Sequence, residues 1–248
     1  MNIFDKLEKK RKSRGSLALT LIDPDVKNQE KIIEMVKISE DSDIDAILVG
    51  GSLMMDEKFD LRLKQIKDST DLPVIIFPGS PNQVSNKADA ILYLSLISGR
   101  NPQYLIGAHV ESAPKIKKLE IETIPTAYML LDGGSKTSVQ IISNTDPLPM
   151  EKKDIVLAHA LAGQYLGNKL LYLEAGSGSV NHVSYDLLSY LNTNIDIPII
   201  VGGGINNLKS VKKLVEAGAS YIVFGSYIEN HPNIKVLNSF TKAIHYIK

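Results

Sequence analysis

The fold is decided by the stretch Tyr172-Leu-Glu-Ala-Gly-Ser-Gly178, which is followed along the chain by Val201-Gly-Gly-Gly-Ile205 and Phe224-Gly-Ser226. In all three stretches an apolar run with strand character breaks into glycines. Strand ends that open onto helix N-termini present free backbone N–H groups to an anion, and the helix dipole adds to the attraction. In an eight-stranded α/β barrel, the loops after strands 7 and 8 commonly form such a phosphate site. The three stretches therefore predict a barrel that binds a phosphate group.

The whole chain alternates short apolar runs with amphipathic helical stretches, which is the pattern of parallel βα units. Most of the apolar runs are nearly continuous, as expected for strands that are covered on both faces. The predicted strands are Leu17–Leu21, Ala46–Val49, Val74–Phe77, Ala90–Leu94, Ile124–Leu131, Leu170–Leu173, Ile199–Val201 and Tyr221–Phe224. The predicted helices are Gln29–Ser39, Asp60–Lys67, Pro114–Leu119, Glu151–Leu166, Tyr185–Leu191, Leu208–Ala217 and Ile234–Tyr246.

The third βα unit is predicted to be irregular. Its connecting segment, residues 78–89, is rich in turn-forming residues and too short for a full helix with two loops. No shift in composition marks a linker, so we predict a single α/β domain over residues 1–248, a modified (β/α)8 TIM barrel with an irregular third βα unit. The segment between Gly133 and Glu151, which includes the weakly alternating run Ser138–Ser143, is expected to form a small hairpin or a lid.

The composition is that of an ordinary globular protein and excludes several classes of function. The 248 residues carry 28 basic and 28 acidic side chains, which argues against nucleic acid as a partner because nucleic-acid binding needs a basic excess. The absence of cysteine excludes disulfides, thiolate metal sites and thiol catalysis. No apolar run approaches the roughly 20 residues of a membrane span, and the charged N-terminus lacks the apolar segment of a signal peptide. We therefore expect a soluble, cytoplasmic protein.

Polar side chains follow the first two predicted strands, at the end of the barrel where chemistry takes place. Asp23 and Asp25 belong to an Asp-Pro-Asp stretch after strand 1, and Ser52 follows two glycines after strand 2. Mg2+ prefers oxygen ligands and usually keeps water and substrate phosphate in its shell, so Asp23 with Ser52 would suffice to hold it. The same stretch is equally typical of a turn in which both carboxylates cap the backbone. The spacing alone leaves both interpretations open.

Glu174 is the candidate for proton transfer. It lies inside the first glycine stretch and shares strand parity with Tyr172, so both side chains are expected to point into the barrel mouth. A carboxylate beside a phosphate site can accept a proton or a hydrogen bond from a substrate hydroxyl. The alternative is a structural glutamate that is paired with a lysine.

No role is predicted for the histidines. They are His109, His159, His182, His231 and His245. Their spacing does not suit a metal site, and none of them ends a predicted strand.

Several motifs together resemble the geranylgeranylglyceryl phosphate synthase family, whose members make the first ether bond of archaeal-type lipids. The motifs run in order over nearly the whole chain: Leu21-Ile-Asp-Pro-Asp25, Val49-Gly-Gly-Ser52, Phe77-Pro-Gly79, Asn101-Pro-x-Tyr104, Tyr172-Leu-Glu-Ala-Gly-Ser-Gly178 and Val201-Gly-Gly-Gly-Ile205. The heptad from Tyr172 to Gly178 is specific, whereas the triple glycine is shared with many phosphate-binding barrels. The family is known as a modified TIM barrel with an irregular third unit, in agreement with the segment at 78–89.

The resemblance implies a role for each matched residue. Asp23 and Ser52 would hold Mg2+, and Asp23 and Glu174 would be the catalytic residues. The residues implied to bind sn-glycerol 1-phosphate are Tyr172, Leu173, Glu174, Ala175, Gly176, Ser177, Gly178, Gly203, Gly204, Gly225 and Ser226. The family usually has Gly-Asn at the end of strand 8. In Gly225-Ser226 a backbone N–H donor and a hydroxyl remain, so phosphate binding is expected to persist.

The reaction implied by the resemblance joins a polyprenyl diphosphate, most often geranylgeranyl, to the C3 hydroxyl of sn-glycerol 1-phosphate. Mg2+ on Asp23 would grip the diphosphate, while Glu174 would orient or deprotonate the attacking hydroxyl. The prenyl tail requires an apolar groove, which we place at Pro78–Lys87 and Ser98–Tyr104. The family also implies a homo-oligomer, either a dimer or a hexamer, and the lipidic product implies transient contact with a membrane surface.

Two other functions stay open on the sequence. Another phosphate-binding barrel enzyme, an isomerase or a lyase, would share the glycine loops but would normally use an Asp pair or a Lys–Glu set at other strand ends. A non-catalytic binder of a phosphate ligand would keep the loops, but the presence of both Asp23 and Glu174 speaks against it.

Overall fold

Eight parallel strands pair with their neighbours in the sequence and close into a barrel, since the last strand pairs with the first. The computed structural model describes residues 1–230 and 233–245. The strands are β1 (Leu17–Ile22), β2 (Ala46–Val49), β3 (Val74–Ile76), β4 (Ala90–Leu96), β5 (Glu122–Leu130), β6 (Leu170–Glu174), β7 (Ile199–Gly202) and β8 (Tyr221–Phe224). Every predicted strand is found, with ends that differ by at most two residues.

Helices connect the strands, as the alternating sequence pattern predicts. They are α1 (Ile3–Arg14), α2 (Ile32–Asp41), α3 (Phe59–Asp68), α4 (Ala108–Leu119), α5 (Ser138–Ser143), α6 (Lys153–Tyr165), α7 (Tyr185–Asn194), α8 (Leu208–Glu216), α9 (Ser226–Asn230) and α10 (Ile234–Ile244). Pro114 lies inside α4 rather than at its start as predicted. The predicted end of the last helix, Tyr246, lies outside the described residues, as does His231. Within the described ranges, no helix is long and apolar enough to cross a membrane.

The strands are buried on both faces because their side chains alternate between two hydrophobic clusters. Leu17 and Leu48 belong to the cluster that fills the barrel interior. Their neighbours Ala18 and Ile47 belong to the cluster between the barrel and the helices. This two-sided burial explains why the strands appear in the sequence as nearly continuous apolar runs.

The N-terminal helix α1 covers the amino-terminal end of the barrel, where the sequence patterns predict no helix. Leu7 is buried and packs together with Ile3 and Phe4 against the interior cluster. The Phe4 backbone N–H donates a hydrogen bond of 3.0 Å to the Glu122 carboxylate at the start of β5. Charged residues dominate the helix, so only a narrow apolar stripe marks it in the sequence. With this end covered, a ligand reaches the barrel at the carboxyl ends of the strands.

The third βα unit is irregular, as predicted. Between β3 and β4 the described chain contains no α-helix, and Pro81–Gln83 forms a single 3-10 turn instead. Gln83 is buried although it lies in this turn. Helix α4 packs against the turn and takes part of the space that a regular third helix would fill.

Two structures were expected between Gly133 and Glu151, a small hairpin or a lid. The hairpin is wrong, because Ser138–Ser143 forms the short helix α5, whereas the lid stays a prediction. The Thr137 hydroxyl caps this helix by accepting a hydrogen bond of 3.2 Å from the Gln140 backbone N–H. Six residues are too few to display a helical period, so the weak alternation of the sequence was misleading.

Burial on the outer face of β6 yields a first testable prediction. Leu171 is fully buried in the cluster between the barrel and the helices, whereas Leu166 at the end of α6 is 77% exposed. We expect Leu171→Ala to lower the free energy of unfolding by about 2–5 kcal/mol, because it removes buried methyl groups and leaves a cavity. Leu166→Ala, the matched control, should change it by less than about 0.5 kcal/mol. Urea unfolding of both variants measures the difference, and equal losses would contradict this assignment of burial.

Candidate active site

A cavity of about 550 Å³ opens at the carboxyl ends of the strands. Predicted site residues from the loops after β1, β2, β6 and β8 line it: Asp23, Ser52, Glu174, Ser177, Gly225 and Ser226. The closure of the barrel brings the first and last of these loops together, because β8 lies beside β1. The fold therefore gathers around one space the residues predicted to bind the metal and to transfer a proton, together with part of the predicted phosphate site. Gly176, Gly178, Gly203 and Gly204 are not among the residues that line this cavity, and Gly204 lines a second one.

The Glu174 carboxylate lies at the end of β6 and is 7% exposed. Its Oε1 accepts a hydrogen bond of 2.7 Å from the Gly176 backbone N–H. Burial raises the pKa of Glu174 to about 7, and the Gly176 N–H and the Tyr172 hydroxyl oppose this rise. No lysine stabilises the carboxylate in the part of the chain that the structure describes. A carboxyl group with a pKa near neutrality can accept and release a proton at physiological pH.

Tyr172 lies behind the cavity wall rather than in the open mouth. Its ring is fully buried, stacks on Phe77 at a centroid distance of 5.2 Å and lies 5.3 Å from the ring of Tyr128. Phe77 and Tyr128 themselves line the cavity. The Tyr172 hydroxyl has no well-formed hydrogen bond to any described residue, and burial raises its pKa well above the ordinary value. The Tyr172 hydroxyl therefore stays protonated and can donate a hydrogen bond to an acceptor.

Four residues of the stretch from Tyr172 to Gly178 offer only backbone groups to a ligand: Leu173, Ala175, Gly176 and Gly178. The side chains of Leu173 and Ala175 are fully buried in the cluster between the barrel and the helices, so they face away from the cavity. Gly176 and Gly178 have φ values of +106° and +69°, which favour glycine over any residue with a Cβ atom. The predicted roles of these four residues in phosphate binding stay predictions that involve their backbone.

The loop after β7 packs directly on the Glu174 carboxylate. A Cβ atom on Gly202 would lie 3.0 Å from its Oε2, and one on Gly203 would lie 2.8 Å from its Oε1. Gly203 and Gly204 also have φ values of +86° and +68°. A Cβ atom on Gly204 would lie 2.6 Å from the backbone carbonyl of Asn181. Glycine at these positions is therefore required by packing and by backbone conformation.

The loops after β6 and β8 meet through two hydroxyl groups at the cavity. The Oγ atoms of Ser177 and Ser226 lie 2.8 Å apart. A Cβ atom on Gly225 would be in ordinary contact with Leu21, at 3.7 Å, so packing alone does not require glycine there. The two hydroxyls give the predicted phosphate site O–H donors besides the backbone N–H groups of the glycine loops.

The two carboxylates of the Asp-Pro-Asp stretch have different environments. Asp25 is buried, and its Oδ1 accepts a hydrogen bond of 3.0 Å from the backbone N–H of Met55, which is distant in the sequence and not part of a local turn. The Oδ2 of Asp23 lies 2.9 Å from the Lys27 ammonium. The Oδ1 of Asp23 is buried and has no partner among the described residues. Asp25 is thus a structural residue, whereas Asp23 keeps one oxygen for a ligand.

The donor set around Asp23 fits a magnesium ion, since Oδ1 of Asp23 is buried without a partner among the described residues and Ser52 lines the same cavity. The Asp23 carboxylate packs against Gly51, where a Cβ atom would lie 2.5 Å from Oδ1. No group of three or more His, Cys, Asp or Glu side chains suited to a metal occurs in residues 1–230 and 233–245. A site with one or two protein oxygens suits Mg2+, which takes its remaining ligands from water and substrate phosphates.

Two buried polar side chains that the sequence analysis missed hold these loops together. Arg62 on α3 is 1% exposed, and it donates to the Pro24 carbonyl at 3.0 Å and to both Asp56 carboxylate oxygens at 2.7 Å. Gln83 donates to the Gly51 carbonyl at 2.8 Å and so joins the loops after β2 and β3. Arg62 lies at helical spacing among the buried residues of α3, and that position was the available signal.

The cavity continues as an apolar groove between the third and fourth units, where the sequence predicts the site of the prenyl tail. Residues of both predicted segments line it: Pro78, Gly79, Ser80, Pro81, Val84, Gln103 and Tyr104. His109, which carried no predicted role, forms part of its wall. Its Nε2 lies 3.1 Å from the Ser95 Oγ, and burial lowers its pKa. His109 could not be predicted as a site residue from strand ends, because it lies on α4.

Glycine loops around a buried carboxylate, next to an apolar groove, define this chain as a (β/α)8 barrel with the candidate active site at the carboxyl ends of its strands. The chain belongs to the PcrB family, whose family model matches residues 8–244.

Individual relatives are similar to this chain over almost its whole length. The geranylgeranylglyceryl phosphate synthase of Chitinophaga pinensis is 43% identical over 239 residues, which cover 96% of this chain and 94% of that protein. That of Flavobacterium johnsoniae is 46% identical over 224 residues, which cover 90% and 92%. A crystal structure of the Thermoplasma acidophilum synthase in complex with its substrate sn-glycerol-1-phosphate has a TM-score of 0.93 at 36% identity and covers 100% of both chains. The family resemblance predicted from the motifs is confirmed.

The buried Glu174 carboxyl group predicts a pH dependence of stability. Because its pKa in the folded protein, about 7, exceeds the ordinary value of 4.5, the folded state holds this proton more tightly than the unfolded chain. This contribution to the free energy of unfolding therefore falls as the pH rises from about 4.5 to about 7 and is constant above that range. Glu174→Gln lacks the titration, so wild type should lose on the order of 3 kcal/mol relative to the variant, at about 1.4 kcal/mol per pKa unit.

Urea unfolding at several pH values between about 5 and about 8 measures this difference. Glu216→Gln, which removes an exposed carboxylate on α8, is the matched control and should follow wild type at every pH. Parallel curves for wild type and Glu174→Gln would contradict the raised pKa.

Proposed function

We propose that this chain is a prenyltransferase that joins a polyprenyl diphosphate, of geranylgeranyl length, to the C3 hydroxyl of sn-glycerol 1-phosphate. The product carries the first ether bond of an archaeal-type lipid. The observation that carries this proposal is the buried Glu174 carboxylate between glycine loops and an apolar groove, in a chain whose relatives bear the name of this synthase.

The acceptor site follows from the loops after β6, β7 and β8. The phosphate group of sn-glycerol 1-phosphate accepts hydrogen bonds from the backbone N–H groups of the glycine loops and from the hydroxyls of Ser177 and Ser226. Held there, the acceptor presents its C3 hydroxyl to Glu174, which lines the same cavity. This positioning replaces a bimolecular encounter by a reaction within one complex, which can remove several kcal/mol from the barrier.

Glu174 acts on the proton of the attacking hydroxyl. In its ionised form it accepts a hydrogen bond from the C3 hydroxyl. It takes the proton as the C3 oxygen bonds to C1 of the prenyl chain and the bond between C1 and the diphosphate oxygen breaks, which releases the diphosphate. Its pKa of about 7 leaves a large fraction of the carboxyl group ionised at neutral pH while keeping it basic enough to be useful. The Gly176 N–H holds Oε1 in place, and the Tyr172 hydroxyl beside the carboxylate favours its ionised form and opposes the rise of its pKa.

The donor occupies the side of the cavity formed by the loops after β1 to β4. Asp23 and Ser52 would hold Mg2+, with Asp23 contributing its unpartnered Oδ1. When bound, the ion would neutralise charge on the diphosphate and make it a better leaving group. The apolar groove along Phe77 and Ile91 takes the tail, because burying each methylene group contributes about 0.8 kcal/mol.

The two alternatives explain less of the structure. An isomerase or lyase that acts on a small phosphate ester does not require an apolar groove beside its phosphate site, because its substrate has no hydrocarbon tail. A non-catalytic binder has no use for a buried carboxyl group whose pKa is raised to about 7. Membership in the PcrB family and the named relatives favour the prenyltransferase over both.

Transfer of label tests the proposal directly. Purified protein with Mg2+, labelled sn-glycerol 1-phosphate and geranylgeranyl diphosphate should move the label into an organic-soluble product. The sn-3 enantiomer should be a poor acceptor, because its hydroxyl would be misplaced when the phosphate is seated. Farnesyl and heptaprenyl diphosphates run alongside identify the preferred donor length. Binding of sn-glycerol 1-phosphate without transfer from any of these donors would contradict the proposal.

The role of Glu174 is tested by Glu174→Gln, which keeps the shape of the side chain but removes its basicity. We expect kcat to fall by roughly 10²–10⁴-fold, the usual contribution of a general base, while the Kd of sn-glycerol 1-phosphate changes little. Isothermal titration and steady-state kinetics separate the two quantities. Glu216→Gln should leave both unchanged, and a wild-type kcat in Glu174→Gln would remove this residue from the mechanism.

A further inference from the structure

Lys27 occupies a position in the site that the proposed mechanism does not use. It lies in a short 3-10 turn, Val26–Asn28, directly after the Asp-Pro-Asp stretch. Its ammonium lies 2.9 Å from the Oδ2 of Asp23, and both side chains line the cavity. The Lys27 side chain is 61% exposed, against 20% for Asp23. An ion pair as exposed as this contributes little to stability, so a structural role accounts poorly for its place in the wall.

The surroundings of this ion pair are acidic. Glu229 lines the same cavity as Asp23 and Lys27. Burial raises the pKa of Glu229, the charge of Asp23 adds to this rise, and the charge of Lys27 opposes it. The Asn28 side-chain amide donates to the Asp23 carbonyl at 3.0 Å and to the Glu229 carboxylate at 3.2 Å, so it joins the loop after β1 to α9. In the protein without a divalent cation, Lys27 is thus the positive charge that the structure places against these carboxylates.

A divalent cation at Asp23 would change the balance for Lys27. It would bind the unpartnered Oδ1, and its two positive charges would repel an ammonium group a few ångströms away. Lysine carries its charge on a flexible stem with three donors, so it can leave Asp23 without a change in the backbone. The cavity beside it is where the proposed function puts the diphosphate, an anion that needs more positive charge than one metal ion supplies.

We propose that Lys27 exchanges partners during the reaction cycle. It is the counter-ion of Asp23 in the metal-free protein and becomes a ligand of the donor diphosphate once a divalent cation occupies Asp23. The inference rests on the proposed function for the identity of the diphosphate. It has a consequence that a purely structural ion pair lacks: removing the ammonium group strengthens metal binding in the free protein and weakens diphosphate binding in the metal-loaded protein.

The first half is tested with Mn2+ alone, without substrates, by electron paramagnetic resonance titration of the full-length protein. We expect Lys27→Met to bind Mn2+ about two- to fivefold more tightly, because a partly exposed ion pair no longer competes for Asp23. Asp23→Asn should lose most of the binding. Lys31→Met removes an exposed lysine outside the cavity and should match wild type. Unchanged or weaker Mn2+ binding in Lys27→Met would overturn the proposal.

The second half is tested with inorganic pyrophosphate at saturating Mg2+, by calorimetry, and with the KM for geranylgeranyl diphosphate. Lys27→Met should weaken both by roughly tenfold or more, because a charge-assisted hydrogen bond is lost. Lys27→Arg, which keeps the charge, should recover most of the affinity. Wild-type pyrophosphate affinity in Lys27→Met would also overturn the proposal.

The transfer assay and the binding measurements on Lys27→Met distinguish failure of this inference from failure of the proposed function. If both binding changes occur but no donor is turned over, the prenyltransferase assignment fails while the exchange of Lys27 stands. If transfer occurs and the binding changes are absent, the enzyme assignment stands and the exchange of Lys27 is wrong.

Discussion

The site depends on one buried charge-bearing group, the Glu174 carboxyl at the mouth of the barrel. Its Oε1 is held by the Gly176 N–H, and the loop after β7 lies so close that a Cβ atom on Gly202 or Gly203 would come within 3.0 Å of the carboxylate oxygens. Glycines at these positions are therefore required to make room for the carboxyl group, and Gly203 is also one of the glycines predicted to bind phosphate. Burial in turn raises its pKa to about 7, which makes it useful for proton transfer.

The irregular third unit gives the polar site its apolar neighbour. A regular helix between β3 and β4 would cover the space that the groove occupies, but Pro81–Gln83 forms a single turn there. Gln83 compensates by bonding the Gly51 carbonyl, and Arg62 anchors the loop after β1 through the Pro24 carbonyl. The barrel loses a helix without loosening the loops that carry Asp23 and Ser52. An anion site and a groove for a hydrocarbon tail can thus share one cavity.

The parts of the fold that local patterns encode were predictable from the sequence. Strands that are buried on both faces leave nearly continuous apolar runs, and positive φ angles leave glycines, so all eight strands and the glycine loops were found. Asp23 was identified as a candidate ligand from the sequence, but the different roles of Asp23 and Asp25 could be distinguished only in the structure. Only the contact between the Met55 N–H and Asp25 decides which carboxylate caps the backbone.

The missed features depend on contacts between distant parts of the chain. Helix α1 is stabilised by packing on the barrel interior, and its own sequence is dominated by charge. His109 belongs to the site because α4 leans over the groove, which no spacing in the sequence reveals. Helix α5 was mistaken for a hairpin because six residues show no helical period. The role proposed for Lys27 depends on the nearby carboxylates of Asp23 and Glu229, which lie far apart in the sequence.

The most direct measurement is a crystal structure of the protein with sn-glycerol 1-phosphate, Mg2+ and a non-hydrolysable thio-analogue of geranylgeranyl diphosphate. The phosphate should lie on the glycine loops after β7 and β8, with the C3 hydroxyl within hydrogen-bond distance of Glu174. The hydrocarbon tail should run along Phe77 into the groove beside α4. A hydroxyl that points away from Glu174, or a tail that leaves the barrel on another side, would contradict the assignment of one shared site for acceptor and donor.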